Sequence, residues 1–330
     1  MKVAILGNGG FGTAMALLLD RAGHAVSLWG HDAAYTAQIA ASRQNPRYLE
    51  GVLLPQSILV THDHVPVLDG CEVVIAAVPT QHLRSVLTGI AAAVPANVPV
   101  VSLAKGLEQR TGLRPSVVIA EVLGGADRVF VLSGPSHAEE IALDLPTTVV
   151  LAGADAAVVQ RLQAALTTRT FRVYRSRDVI GVEICGALKN VMALAAGIAD
   201  GLGYGDNAKA AILARGIVEM TRFGIGLGAA PQTFAGLAGV GDLAVTAFSP
   251  HGRNRAFGER IGRGETLEQA LAATPKVAEG VWTSRVVVEQ AKRRGVEMPI
   301  AEAVARVLFE GLSARAAVRE LMERDPKAEA

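Results

Sequence analysis

A single lysine, Lys189, stands in the apolar run "EICGALKNVMALAAGIADG", residues 183–201. On a helix its neighbours three and four residues away are Cys185, Gly186, Met192 and Ala193. One turn further lie Val182 and Ala196. None of these side chains pairs with an ammonium. Burial in apolar surroundings disfavours the charged form of an amine and lowers its pKa toward working pH. Such an amine suits stabilising an oxyanion and passing a proton to it. The plainer alternative is a lysine that lays its stem over apolar surface and keeps its head in water.

A second chemical signal opens the chain. "KVAILGNGGFGTAMALLL" places Gly7-x-Gly9-x-x-Gly12 after an apolar run and at the start of a helical pattern. In that context Gly7 permits a tight turn, Gly9 lets backbone approach a pyrophosphate, and Gly12 allows close helix–strand packing. The helix start supplies N–H groups and a positive dipole end for the phosphates. The second strand of such a unit should end in an acid for the adenosine ribose. In "VSLWGHD" Gly30 stands there instead, followed by His31 and Asp32. Without that acid a 2′-phosphate is not repelled, and His31 is placed to sit beside it. NADP(H) should therefore be tolerated, with NAD(H) as a second cofactor. Otherwise His31 is an exposed loop residue.

Three more residues can carry chemistry. Arg253 in "HGRNR" offers a guanidinium suited to bidentate contact with phosphate. Gly252, Arg253 and Asn254 precede a helical pattern, where backbone N–H groups are free. The alternative is a solvated basic loop that includes Arg255. Asp242 in "GVGDLAVT" fits a helix N-cap as well as it fits a catalytic carboxylate, with Thr246 four residues on. Lys105 in "LAKGLE" follows a strand pattern, and parallel sheets bind ligands beyond the carboxyl ends of their strands. It also fits a surface lysine in a turn. His62 and His64 have a spacing compatible with a metal, but nothing else converges on them, and no metal site is expected.

Taken together, these residues resemble the bacterial NAD(P)-dependent sn-glycerol-3-phosphate dehydrogenase family. The resemblance covers nearly the whole chain, through "GNGGFGTAMA", "LWGHD", "NPRYLEGVLLP", "SLAKGLE", "LSGPSHAEEIALDLPTTVV", "DVIGVEICGALKNVMALAAGIADGL", "GLAGVGDLAVTAFSPHGRNRAFG" and "VAEGVWTS". It implies reversible hydride transfer between NAD(P)H and dihydroxyacetone phosphate, giving sn-glycerol 3-phosphate, a glycerophospholipid precursor.

The resemblance makes Lys189 the general acid/base. It places Asp242 near Lys189 and the substrate. It assigns Lys105, Gly134, Ser136, Gly252, Arg253 and Asn254 to substrate binding. Contacts to the cofactor fall to Gly9, Gly10, Phe11, His31, Tyr48, Lys105, Ala138, Arg253, Val277 and Glu279. Without the family, "SGPSHA" reads only as a turn and Tyr48 as a packing residue. The chain departs from the pattern in three places. It has Gly10-Phe11 where the family usually has Ser-Trp, Gly252 where Ser is frequent, and Glu50 where Pro is common. Phe11 keeps an aromatic face, and Gly252 keeps a backbone N–H.

The elements that must position these residues fall into two halves. Short apolar runs at residues 2–6, 25–29, 73–78, 98–103, 129–132 and 147–151 alternate with helical patterns. Their nearly continuous apolar character predicts strands covered on both faces, hence a mostly parallel sheet. A helix over 155–167 and a strand over 170–174 follow. Beyond Asp178 the strand pattern stops. Helices are expected over 182–199, 208–227, 255–263, 266–273, 283–294, 299–310 and 314–323. The reading is an α/β fold: a Rossmann-type, doubly wound domain over 1–178, then an all-α substrate and catalytic domain over 179–330.

Composition narrows the partners. Lys and Arg number 32 against 31 Asp and Glu, so no excess positive charge points to nucleic acid. Aromatics are only 4% of residues, so the core must be aliphatic. Cys71 and Cys185 sit in apolar contexts and read as small buried hydrophobes. The opening stretch mimics a signal peptide but is broken by glycines. Uncharged stretches at 85–104 and 223–241 carry prolines or many glycines, and no membrane insertion is expected. A cytoplasmic enzyme acting on a small-molecule substrate is the expectation, with a homodimer plausible from its long aliphatic helices. Two rivals stand: a lysine-dependent dehydrogenase of hydroxy acids or sugar acids, and a non-catalytic dinucleotide-sensing module.

Overall fold

Burial on both faces makes the first strand apolar at every position after Lys2, and it lies inside the sheet. The computed structural model describes residues 1–249, 252–273, 278–326 and 328. Its strands are β1 (Lys2–Leu6), β2 (Ala25–Trp29), β3 (Gln44–Asn45), β4 (Leu49–Leu53), β5 (Leu59–Thr61), β6 (Val73–Ala76), β7 (Val100–Ser102), β8 (Val129–Ser133), β9 (Thr147–Ala152) and β10 (Phe171–Ser176). The main sheet runs β10-β9-β8-β7-β6-β1-β2-β5, and β3 pairs with β4 in a separate hairpin.

From β5 through β2, β1, β6 and β7 to β8 every pairing is parallel. The chain reverses its direction of travel across the sheet at β1, so the crevice between β1 and β6 is the topological switch point. The expected mostly parallel, doubly wound sheet is present, with one exception. β9 runs antiparallel to β8, with Ser133 opposite Val150. Strands buried on both faces carry no pattern that distinguishes the two directions. The return loop between them carries Gly134 and Ser136 across the carboxyl end of β8. The strand expected over 73–78 ends at Ala76, where its last residues turn into the loop that faces the crevice. The one expected over 98–103 is trimmed at both ends to Val100–Ser102, with Val98 N held in a turn by Pro95 O.

After β10 the chain is helical. The lysine helix, Val179–Gly201, is buried from Gly181 to Ala199, as expected for a helix apolar all round. It begins three residues before the apolar pattern because Asp178 caps it, accepting from Gly181 N at 2.8 Å. The other Asp178 oxygen accepts from Thr233 Oγ1 at 2.6 Å and Ala230 N at 3.0 Å. Among the described residues it is the one helix long and apolar enough to cross a membrane, and 83% of its apolar window is buried within the protein.

Glycines let the next helices press onto it. A Cβ on Gly197 or Gly201 would collide with the carbonyls of Arg255 and Glu259. On the facing helix, Arg253–Gly262, a Cβ on Gly258 or Gly262 would collide with the carbonyls of Leu194 and Ile198. Two glycine pairs, each four residues apart, therefore bring two backbones into contact. This spacing fixes the height of Arg253 relative to Lys189. Gly258→Ala should destabilise the protein by about 1–3 kcal/mol or more, the scale of overpacking. The check is its urea midpoint. An unchanged midpoint would mean that the helices separate at no cost.

The buried Glu219, on helix Asp206–Ile225, caps a neighbour. Its carboxylate accepts from Ile300 N at 2.7 Å and Ala301 N at 3.3 Å, at the start of helix Pro299–Phe309. Burial pushes its carboxyl up to about 7, against the partial relief these N–H groups give. A raised folded-state pKa contributes stability that is complete below the unfolded value. That stability is lost as pH rises through about 7. Glu219 alone should cost about 3 kcal/mol or less across that window. Melting temperature should thus fall from about pH 5 to about pH 8, less steeply in Glu219→Gln; parallel curves for the two proteins would refute this assignment.

Candidate active site

The glycine loop is shaped by close approach on two sides and open space on the third. Gly7 has φ +114°, and a Cβ there would meet Ala77 O at 2.6 Å, across the switch-point crevice. A Cβ on Gly12 would collide with Gly7 O, so only glycine lets the helix lie this close to its strand. Gly9 is the N-cap of helix Gly10–Arg21, and a Cβ there would meet nothing within 4 Å. Open space over a helix N-terminus, with no side chain to fill it, fits a pyrophosphate. Buried amides hold the loop: Asn45 Nδ2 donates to Asn8 O at 2.8 Å and to Thr13 Oγ1 at 2.7 Å.

Residues that the resemblance assigns to the cofactor gather at this helix head. A Cβ on Gly10 would meet Tyr48 O at 2.8 Å and lie 3.7 Å from Ala138 Cβ. The chain has thus closed onto the glycine where the family usually has serine. The Phe11 ring centroid lies 6.0 Å from Lys105 Nζ. At the end of β2, a Cβ on Gly30 would collide with Asn8 Nδ2 and Thr36 Oγ1, so no ribose-binding acid fits. His31 is exposed beside Trp29, with ring centroids 6.0 Å apart. It stands apart from the lysine cluster. Nearby, His62 Nδ1 makes a 2.9 Å hydrogen bond with Gly30 O. Among the described residues no three His, Cys, Asp or Glu side chains form a possible metal site.

Lys189 is 7% exposed, and its ammonium donates to Asp242 Oδ1 and to Thr246 Oγ1, the latter at 2.8 Å. The second Asp242 oxygen accepts from Lys105 Nζ at 2.7 Å. Lys105 also donates to Gly134 O at 3.0 Å and Ser136 Oγ at 3.4 Å. Two lysines from different halves of the chain therefore share one buried carboxylate. Asp242 is not an N-cap. The N-cap of helix Asp242–Phe248 is Gly241, because a π-helical turn at Leu237–Gly241 carries the aspartate into the helix.

The electrostatics follow from this sharing. Burial pushes the Lys189 amine down to about 8; the Asp242 charge opposes that fall, and the Lys105 charge adds to it. Burial alone would raise the Asp242 carboxyl, but Lys105 and Lys189 together outweigh it and hold it below its ordinary value. The half-buried His137 is held below the usual imidazole value by desolvation and by the Lys189 charge.

Arg253 is exposed at the first turn of its helix, after the N-cap Gly252. A Cβ on Gly252 would meet Thr246 O at 2.6 Å, so this turn has closed where the family often has serine. Helix geometry leaves the first N–H groups, those of Arg253 and Asn254 included, without intrahelical acceptors. The Asn254 carboxamide is engaged elsewhere. Its Nδ2 donates to Asn190 Oδ1 at 2.9 Å, and its Oδ1 accepts from Gly280 N at 3.0 Å. Asn190 Nδ2 in turn donates to Lys105 O at 2.9 Å. Glu279 Oε1 accepts from Thr80 N at 2.8 Å, and burial raises its carboxyl above the ordinary value. Val277 lies outside the described residues.

Sequence reasoning missed Asn190, whose one signal was a polar amide beside Lys189 in an apolar helix. It also missed Glu183, fully buried on the same helix. Glu183 accepts from Ser116 N at 2.7 Å, Ser116 Oγ at 2.6 Å and the Arg114 guanidinium, tying the lysine helix to the first half.

A glycine-lined cradle at a switch point, together with a desolvated lysine held on a carboxylate, fits the class of nicotinamide-dependent dehydrogenases. Comparison with known proteins narrows the class. Residues 2–159 match the family model described as the NAD-dependent glycerol-3-phosphate dehydrogenase N-terminus, and residues 178–319 match its C-terminus. Glycerol-3-phosphate dehydrogenase (NAD(P)+) of Chlorobium limicola is 47% identical, over 100% of this chain and 99% of that protein. Its namesake in Geobacillus kaustophilus is 48% identical over 99% and 96%. A crystal structure of glycerol-3-phosphate dehydrogenase from Coxiella burnetii superposes with a TM-score of 0.93 at 38% identity, covering 98% of both chains. The chain belongs to the NAD-dependent glycerol-3-phosphate dehydrogenase family, and so to the NAD(P)-dependent oxidoreductases.

Proposed function

We propose that this chain reduces dihydroxyacetone phosphate reversibly to sn-glycerol 3-phosphate with NAD(P)H, using Lys189 as general acid/base. The observation that carries the reading is the Lys189 ammonium. Two of its three N–H bonds are taken by Asp242 and Thr246, which leaves one for a substrate oxygen. A bound nicotinamide supplies the hydride that reaches the carbonyl carbon. Lys189 donates to the developing oxyanion and then gives it the proton, and an amine near pKa 8 does so readily at neutral pH. In the reverse direction the neutral amine takes the hydroxyl proton.

The other residues bind and orient. Asp242 holds Lys189 and Lys105 at one height and stabilises the ammonium form. Lys105, with Gly134 and Ser136, borders the substrate from the carboxyl ends of β7 and β8. Arg253 takes the substrate phosphate by its guanidinium. Asn254 supports that phosphate through its backbone N–H rather than its carboxamide, which Asn190 and Gly280 occupy. The Gly252 N–H is taken by Ser249 O at 3.1 Å, so Gly252 shapes this turn rather than donating to the phosphate. Gly9 leaves the first helix open to the pyrophosphate, Gly10 lets Tyr48 and Ala138 close against the helix head beside Phe11, and His31 stands at the ribose end. Val277 and Glu279 complete the cofactor side by resemblance, Glu279 by holding Thr80.

In this reading residues 1–178 bind the dinucleotide, residues 179–330 carry the substrate site, and catalysis requires both. Family membership supports reduction toward a glycerophospholipid precursor in the cytoplasm. It weighs against a hydroxy-acid dehydrogenase or a sensing module. Initial rates test the proposal: dihydroxyacetone phosphate should drive oxidation of NADH or NADPH, and 3-oxo acids should not. Turnover on a 3-oxo acid alone, or nucleotide binding without turnover, overturns it.

A further inference from the structure

Dinucleotide-binding sheets distinguish the two nicotinamide cofactors at the end of the second strand, by an acid for the ribose hydroxyl or an arginine for the 2′-phosphate. Here the acid's usual place is closed. A side chain at Gly30 would collide with Asn8 Nδ2 and Thr36 Oγ1, which are buried and hydrogen-bonded to each other at 3.0 Å. Two residues on, Asp32 Oδ1 accepts from Tyr35 N at 3.0 Å and so caps helix Ala33–Ser42. Its Oδ2 lies 3.8 Å from Arg47 Nη1, and the two side chains are 54% and 53% exposed.

Tyr35 fixes Arg47 twice. Its hydroxyl accepts from Arg47 N at 3.0 Å, and its ring lies 4.1 Å beneath the Arg47 guanidinium. Tyr48 stands 5.9 Å from the same guanidinium. A charged fork is thus held at the ribose end, resting on an exposed carboxylate whose attraction is worth little in water.

We propose that Arg47 is the specificity-determining residue for the cofactor's 2′-phosphate, and that Asp32 is its resting partner when no such phosphate is present. The inference rests on the nicotinamide-dehydrogenase reading above. A phosphate dianion offers a guanidinium a stronger, bidentate partner than one carboxylate at 3.8 Å. The Asp32 charge opposes the same phosphate. Arg47 and Asp32 therefore pull in opposite directions, and their balance sets how evenly NADPH and NADH are accepted.

The test is direct binding of NADPH and of NADH, followed by nucleotide fluorescence on the full chain with no ketone present. Arg47→Gln should raise the NADPH-to-NADH ratio of dissociation constants by about tenfold or more, the scale of one charge-assisted contact. Asp32→Asn keeps a capping oxygen and should move the ratio the opposite way. Adenosine 2′-phosphate should compete in the wild type and lose its advantage over adenosine 5′-phosphate in Arg47→Gln. An unchanged ratio in Arg47→Gln, or equal weakening of both nucleotides, overturns the proposal. A wild-type protein that binds neither nucleotide overturns it together with the functional reading. Binding without turnover on dihydroxyacetone phosphate would count against that reading alone.

Discussion

Replacing Lys189 by methionine removes most turnover, by about a hundred- to ten-thousandfold, while the protein stays folded and still binds NADPH. The side chain is 8% exposed, and its stem already lies among apolar residues of the lysine helix, so methionine fills nearly the same volume. The charge left behind is not orphaned. Asp242 keeps Lys105 on Oδ2 at 2.7 Å, so the stability cost stays near that of one lost buried hydrogen bond, about 1–3 kcal/mol. The hydrogen bonds of Lys189 run to Asp242 and Thr246 and not to the glycine loop, so NADPH binding should persist. What is lost is the one N–H bond that could reach a substrate oxygen, together with its proton. Steady-state rates with dihydroxyacetone phosphate and a parallel NADPH titration make the check. A near-normal turnover number would sink the assignment.

Asp242→Asn should be nearly as damaging, for a different reason. The change is isosteric but removes the one negative charge that Lys105 and Lys189 share. Two ammonium groups would then face each other in a buried site. Burial would push the Lys189 amine lower with no carboxylate to oppose it. Reduction needs the protonated amine, so its rate should fall as pH rises through the amine's pKa, near 8 in the wild type. In Asp242→Asn that fall should move to lower pH, with turnover down about a hundredfold or more at neutral pH. Loss of the pair should also cost about 3–5 kcal/mol, moderated as Lys189 sheds its proton. A pH–rate profile and a urea melt measure the two effects. Wild-type turnover with the fall at an unchanged pH would reduce Asp242 to a structural residue.

Much of this site was legible because its strongest signals are local. Gly7, Gly9 and Gly12 share one turn, and Lys189 contradicts its own helix. Asp242 was legible only in part. It lies 53 residues from Lys189, and its setting equally fits an N-cap. Only the π-helical turn at Leu237–Gly241 shifts it one place into the helix. The pairing of Gly197 and Gly201 with Gly258 and Gly262 was hidden because glycine in a helical pattern reads as weak helix until its partner is known. β3 and β5, at two and three residues, are too short to show a period. Helices began earlier than their apolar patterns wherever a cap or a buried polar residue extended them, as at Asp178 and Gly252. The direction of β9 depends on its connection and leaves no trace in its own side chains.

In the proposed reaction a buried amine with a pKa near 8 supplies the proton. The most direct measurement is the single-turnover rate of NADPH oxidation by dihydroxyacetone phosphate from about pH 6 to about pH 10, in the wild type and in Lys189→Met. The wild-type rate should be level at low pH and fall through about 8. The variant should be slow and show no fall there. A wild-type profile without that fall, or a variant that keeps it, would contradict the account.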